Sequence, residues 1–210
     1  MIKKILTASI IASLYLMPFN VNAAEQKTGM TMQQYIYQAD QGSPYAAFRT
    51  GLAYEYGVPG ISRDVVKAIY YYKIADKNGN IKASAKLGGL YLEQGYSKDA
   101  LPYLMKAVQK GDSLGQAYLG KLLEDKKEKI NAIKLYELSS KGKNPVGQFL
   151  YADYLIRSSK KGDADYLKGY ALLALSAQKN DDAKNKLTQS RDVFTNEQKV
   201  LIAKYIRDYK

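Results

Sequence analysis

The 210-residue chain carries 32 Lys and Arg against 20 Asp and Glu and contains neither Cys nor His. Those two absences exclude disulfide staples, a Ser-His-Asp triad, a Cys-His pair and any metal site built from imidazole or thiolate. The length allows one ordinary domain or one short repeat array, and an apolar content of 46% is enough to bury a core. A net charge of +12 favours acidic partners such as anionic lipids, nucleic acid or acidic proteins. The basic residues are scattered, with no arginine-rich run, so a lysine-rich solvated surface is expected and a nucleic-acid partner is not.

The first 23 residues read as an export signal. Lys3 and Lys4 give a positive start, Ile5 to Met17 is an uncharged apolar run, and Val21-Asn22-Ala23 offers small residues for a signal peptidase. Cleavage is expected between Ala23 and Ala24. The apolar run is too short to span a bilayer, which takes about 20 residues, and no later stretch is apolar enough. The expected product lies outside the cytoplasm, in a periplasm or secreted, with no stable membrane anchor. Loss of Lys3 and Lys4 lowers the charge to +10.

Residues 24–29 read as a short linker, and residues 30–41 as a capping helix. From residue 44 the chain repeats. Small residues open four candidate first helices, at Ala47, Ala83, Gly115 and Gly147, and four candidate second helices, at Ala68, Ala100, Ala132 and Gly169. From each second-helix marker to the next first-helix marker the spacing is a constant 15, as from Ala68 to Ala83. The spacing inside a pair varies. Stacked helix pairs must hold register with the next pair, whereas a loop within a pair lengthens at the edge without disturbing the stack. A second small residue follows seven positions on, at Ala75, Ala107, Ser139 and Ser176, on the same helical face. The expected repeats are 44–79, 80–111, 112–143 and 144–180, with capping helices over 181–210.

Helix ends are marked as well. Asp64 and Asp99 suit N-caps, the latter placing Pro102 in a first turn. Gly79, Gly111 and Gly142 suit left-handed residues after second helices. Thr195-Asn196-Glu197-Gln198 reads as a capping box for a last helix. No strand pairing is expected, so the fold class is all-α, an α-solenoid of about four helix-turn-helix repeats.

The residues of the first repeat carry a resemblance. Ala47, Thr50-Gly51, Tyr54, Gly57, Gly60-Ile61, Asp64, Lys67-Ala68, Tyr71-Tyr72 and Ala75 resemble the Sel1-like repeat, a relative of the tetratricopeptide repeat. The second repeat keeps Ala83, Leu87-Gly88, Tyr91, Gly95, Ala100 and Ala107. Lys168-Gly169-Tyr170-Ala171-Leu172 with Thr195 to Gln198 resembles the usual end of such proteins. The third repeat departs from it, with Leu123 in place of the tyrosine. The resemblance implies a non-enzymatic scaffold for protein complexes, and exported bacterial members are associated with envelope biogenesis, host interaction and immunity to secreted toxins, for example a lipase. It also implies that first helices line the binding groove. A second possibility is a cell-wall protein that binds or cleaves peptidoglycan.

Aligning Thr50-Gly51, Leu87-Gly88, Leu119-Gly120 and Tyr151-Ala152 places twelve residues toward that groove. They are Leu52, Glu55 and Tyr56; Gly89, Leu92 and Glu93; Lys121, Glu124 and Asp125; Asp153, Ile156 and Arg157. Five are acidic and two basic, so a locally acidic groove is expected, suited to a basic, partly apolar segment of a protein partner. Tyr54, Tyr71, Tyr72, Tyr91 and Tyr103 fall at inter-helix positions and are expected to pack. No catalytic residue, cofactor or metal is expected, and the sequence leaves the oligomeric state open.

Overall fold

A computed structural model describes residues 29–190 and 192–209. The expected leader, its Ala23–Ala24 cleavage point and most of the 24–29 linker lie outside the described residues. Among the described residues there are eleven helices and no strand: α1 (Met32–Asp40), α2 (Pro44–Tyr56), α3 (Val65–Lys77), α4 (Ile81–Glu93), α5 (Ser97–Gln109), α6 (Ser113–Asp125), α7 (Lys129–Lys141), α8 (Pro145–Ser158), α9 (Ala164–Ser176), α10 (Asp181–Gln189) and α11 (Asn196–Asp208). The chain divides between Gly115 and Gln116 into two compact units. In the first, α1 packs on α2, α2 on α3, α3 on α4 and α4 on α5. In the second, α7 packs on α8, α8 on α9, and α9 carries α10 and α11.

Close approach between helices is purchased with small side chains. Ala47, Ala68, Ala75, Ala83, Ala100, Ala107, Ala132, Ser139 and Ser176 are fully buried. A methyl group built on Gly115 would lie 2.5 Å from the Cβ of Ala107, and one on Gly147 would overlap Ser139. At the aligned glycines the neighbour is large instead: Gly51 faces the Tyr72 ring, Gly88 faces Leu104 and Gly120 faces the Tyr136 ring, each too close for a Cβ. The second-helix residue four positions after the small marker therefore fills the notch left by a first-helix glycine.

The ends of the helices follow the sequence with two corrections. Asp64 caps α3 through the Lys67 amide at 3.0 Å, and Thr195 with Gln198 forms the box that opens α11. Asp99 is not an N-cap, because α5 starts earlier, with Tyr96 at the cap, and Pro102 stands inside the helix. Its missing N–H leaves the Lys98 carbonyl without the usual intrahelical bond, a small cost on an exposed residue. Gly142 is not left-handed either. It has φ −70°, and Lys143 takes the positive angle at φ 55°.

The longer loop of the first pair folds back on α2. Val58 and Ile61 exchange two backbone hydrogen bonds around Pro59-Gly60, with Gly60 at φ +83°, as a turn with proline then glycine requires. Arg63 Nε donates to the Glu55 carbonyl at 3.0 Å and the Asp64 amide to the Tyr54 carbonyl at 2.8 Å. The loop thus satisfies carbonyls that the end of a helix leaves open.

Candidate functional site: the first-helix face

In the first unit Glu55, Tyr56 and Glu93 come together with groups the sequence reading had not joined to them. Glu55 is 3% exposed and Lys86 8%. Lys86 Nζ donates to Glu55 Oε1 at 3.0 Å, the Tyr72 hydroxyl donates to Glu55 Oε2, and Lys86 also donates to the Tyr56 hydroxyl. A charge in such a place is tolerable only when paired and hydrogen-bonded. Burial, and then the Glu55 charge, push the Tyr72 phenol well above its ordinary range, so Tyr72 is a permanent donor.

Glu93 is different. It is half-buried, and its Oε1 is buried and accepts no hydrogen bond among the described residues. Burial first, and the neighbouring Glu55 charge second, push its carboxyl up to about 8, against the opposing pull of Lys86 and Arg63. Leu52 belongs to the core with Tyr71, Tyr72 and Leu90, whereas Leu92 is half-exposed.

The second unit repeats the arrangement. Tyr136 donates to Glu124 Oε2 at 2.7 Å, and Arg157 Nη2 to Glu124 Oε1 at 2.8 Å. Arg157 Nε also donates to Asp153 Oδ2 at 2.7 Å, and Lys186 donates to the other oxygen of Asp153. Burial acts to raise the Asp153 pKa, but Lys186 and Arg157 outweigh it and the net shift is downward. Lys121 pairs with the exposed Asp125 at 3.1 Å, and Ile156 is half-buried. Glu55 and Glu124 each stand four positions after an aligned glycine, and Tyr72 and Tyr136 each four after a second-helix marker. The cation comes from the following repeat in both units, as Lys86 or Arg157. At the equivalent positions the second pair has Leu92 and Leu104, and the fourth has Ile156 and Leu173.

The acidic groove expected from charge counting is therefore corrected. Glu55, Glu124 and Asp153 are turned to internal pairs, because a first-helix position beside the next repeat's first helix is partly enclosed. The carboxylate left least compensated is Glu93, since Asp125 has Lys121. Lys86 was legible as a signal, since a lysine between Ala85 and Leu87 in a run of small and apolar residues needs an anion. Lys186, on a helix without repeat register, carried no such mark. Of the five tyrosines, Tyr71 and Tyr72 are buried. Tyr54 stacks on Tyr71 with ring centres 5.7 Å apart, and Tyr91 on Tyr103 at 5.8 Å. Among the described residues no group of three or more acidic side chains could hold a metal ion, and no helix is long and apolar enough to cross a membrane.

No protein-family model matches the chain. Over 92 residues it is 36% identical to the ERAD-associated E3 ubiquitin-protein ligase component HRD3B of Arabidopsis thaliana, a match spanning 41% of this chain and 14% of that protein. The crystal structure of a Sel1 repeat protein from Oxalobacter formigenes superposes with a TM-score of 0.60 at 26% identity, covering 85% of this chain and 75% of that one. The chain has the Sel1-like repeat fold. The same fold is shared with c5321, a protective antigen of uropathogenic Escherichia coli, at a TM-score of 0.66 and 20% identity over 85% of this chain and 40% of that one. It is shared also with the immunity protein Pa5087 of Pseudomonas aeruginosa, at 0.52 and 16% over 85% and 73%. The repeat explains why the two carboxylate links, buried at Glu55 and partly exposed at Glu124, recur at one register.

Proposed function

We propose that this protein is an exported, non-enzymatic scaffold whose first-helix face binds a protein partner through a basic, partly apolar segment. The observation that carries the reading is Glu93. A buried acceptor without a donor, beside Tyr56 and Leu92, suits a guest ammonium or guanidinium group that supplies the missing hydrogen bond. In a sharper form of the same proposal the partner is a secreted toxin, for example a lipase, that the protein binds and blocks; an immunity protein is among the proteins that share the fold.

The test is capture of partners from an envelope extract with the chain that begins at Ala24, followed by binding measurements against pH. A guest cation competes with the proton on Glu93. Affinity should rise up to tenfold per pH unit toward about 8 and then level. Glu93→Gln should flatten that profile, and a profile unchanged by the substitution would remove Glu93 from the interface. A toxin gene beside this one would support the immunity reading. Retention on purified peptidoglycan with no protein captured would favour the cell-wall alternative. Mass spectrometry of the native protein should find Ala24 as its first residue; a chain retaining Met1 in the cytoplasm would overturn export.

A further inference from the structure

The two kinds of helix differ in charge and in what they expose. The first helices α2, α4, α6 and α8 together carry five basic and five acidic side chains, whereas the second helices α3, α5, α7 and α9 carry nine basic and four acidic. All nine are lysines. Among the described residues the exposed large aliphatic side chains are Val66, Met105, Ile130 and Leu138, all on second helices, and Val193 and Val200, which lie beyond the last pair. Val66 is 80% exposed and Ile130 73%. On α3 the exposed stripe reads Val66, Lys67, Tyr70, Lys73 and Lys77, and its single acid, Asp76, is held by Lys106 at 2.8 Å. On α7 Ile130, Lys134 and Leu138 follow one another at four-residue spacing, with Lys129 beside them.

We propose that the second-helix face of each unit, taken by itself, docks onto the surface of an anionic phospholipid bilayer. A protein interface would be built differently: its centre concentrates aromatic residues and arginine in a contiguous patch and is poor in lysine. Here isolated aliphatic side chains stand singly among lysines. That arrangement suits a headgroup layer, where one apolar side chain enters between acyl chains while lysine stems lie flat and their ammonium groups reach phosphates. Tyr70 has the apolar ring and polar tip favoured at that depth.

The test is co-sedimentation of the chain beginning at Ala24 with vesicles of phosphatidylcholine alone or with a quarter phosphatidylglycerol. Binding is expected to the anionic vesicles only and should weaken strongly on raising salt from about 0.05 M to about 0.5 M, where charges are screened within a few ångströms. Lys77→Gln, Lys98→Gln, Lys129→Gln and Lys134→Gln together should lower partitioning about six-hundredfold, at about fivefold per lysine. Val66→Ser with Ile130→Ser should lower it several-fold at unchanged charge. The proposal is overturned if neutralising Lys179, Lys184, Lys199 and Lys204 instead has the same effect, since any basic protein would then behave alike. It is overturned also if the serine pair changes nothing, or if anionic vesicles are ignored while an acidic protein is captured through the same four lysines.

Discussion

Glu55 shows how a single buried carboxylate is fixed by its neighbours. Glu55→Ala would leave Lys86 buried without its anion, and breaking a buried pair in this way costs about 3–5 kcal/mol. A large fall in the urea midpoint is expected, and Lys86→Met added to Glu55→Leu and Tyr72→Phe should recover much of it. If the single substitution is silent, the pair is open to water. Glu93 makes a separate prediction. Its proton is held in the folded protein up to about 8 but lost near the ordinary carboxylate range when unfolded. The stabilisation is fully present in acid and is lost as pH rises through about 8, so the melting temperature of Glu93→Gln should fall less steeply over that window. Both residues were legible as first-helix positions. Their burial was not, because spacing places a side chain on a face without saying which cation from the next repeat covers it.

At the scale of the helix, the approach of Gly115, in the first turn of α6, to Ala107 on α5 depends on both residues being small. Gly115→Ala would push a methyl group against the Ala107 Cβ, which is bonded directly to the backbone and has no torsion by which to swing aside. Overpacking of this kind costs about 1–3 kcal/mol, and Ala107→Arg should cost more because it also buries a charge. Thermal unfolding checks both, and unchanged melting for Ala107→Arg would contradict its full burial. Helix positions and their inward faces were readable because small residues recur at fixed spacing. The start of α5 was not, since Asp99 and Pro102 together mimic a cap and first turn, while the structure opens the helix at Ser97 with no side-chain cap at all. Gly142 failed for a related reason: Lys143 adopts the left-handed angle itself.

Over the whole molecule the constant spacing between pairs made the repeat fold legible. Which face does which work was not, because net charge summed two sets of helices that differ sharply. The loops give a prediction of the same kind. Four glycine-serine residues inserted after Gly60 should leave the melting temperature within about 2 °C, since the effect of longer surface loops is small. The same insert after Gly79, between pairs, should lower it clearly. Finally, Glu–Tyr links occupy the first and third pairs, whereas the same register positions hold Leu92 and Leu104 in the second and Ile156 and Leu173 in the fourth. A chain of near-identical repeats runs the hazard of assembling out of step, with one helix hairpin taking its neighbour's berth. Here a slip of one place would seal a carboxylate against leucine with no donor in reach, so the wrong assembly penalises itself and the alternation serves as a key to the order of the repeats.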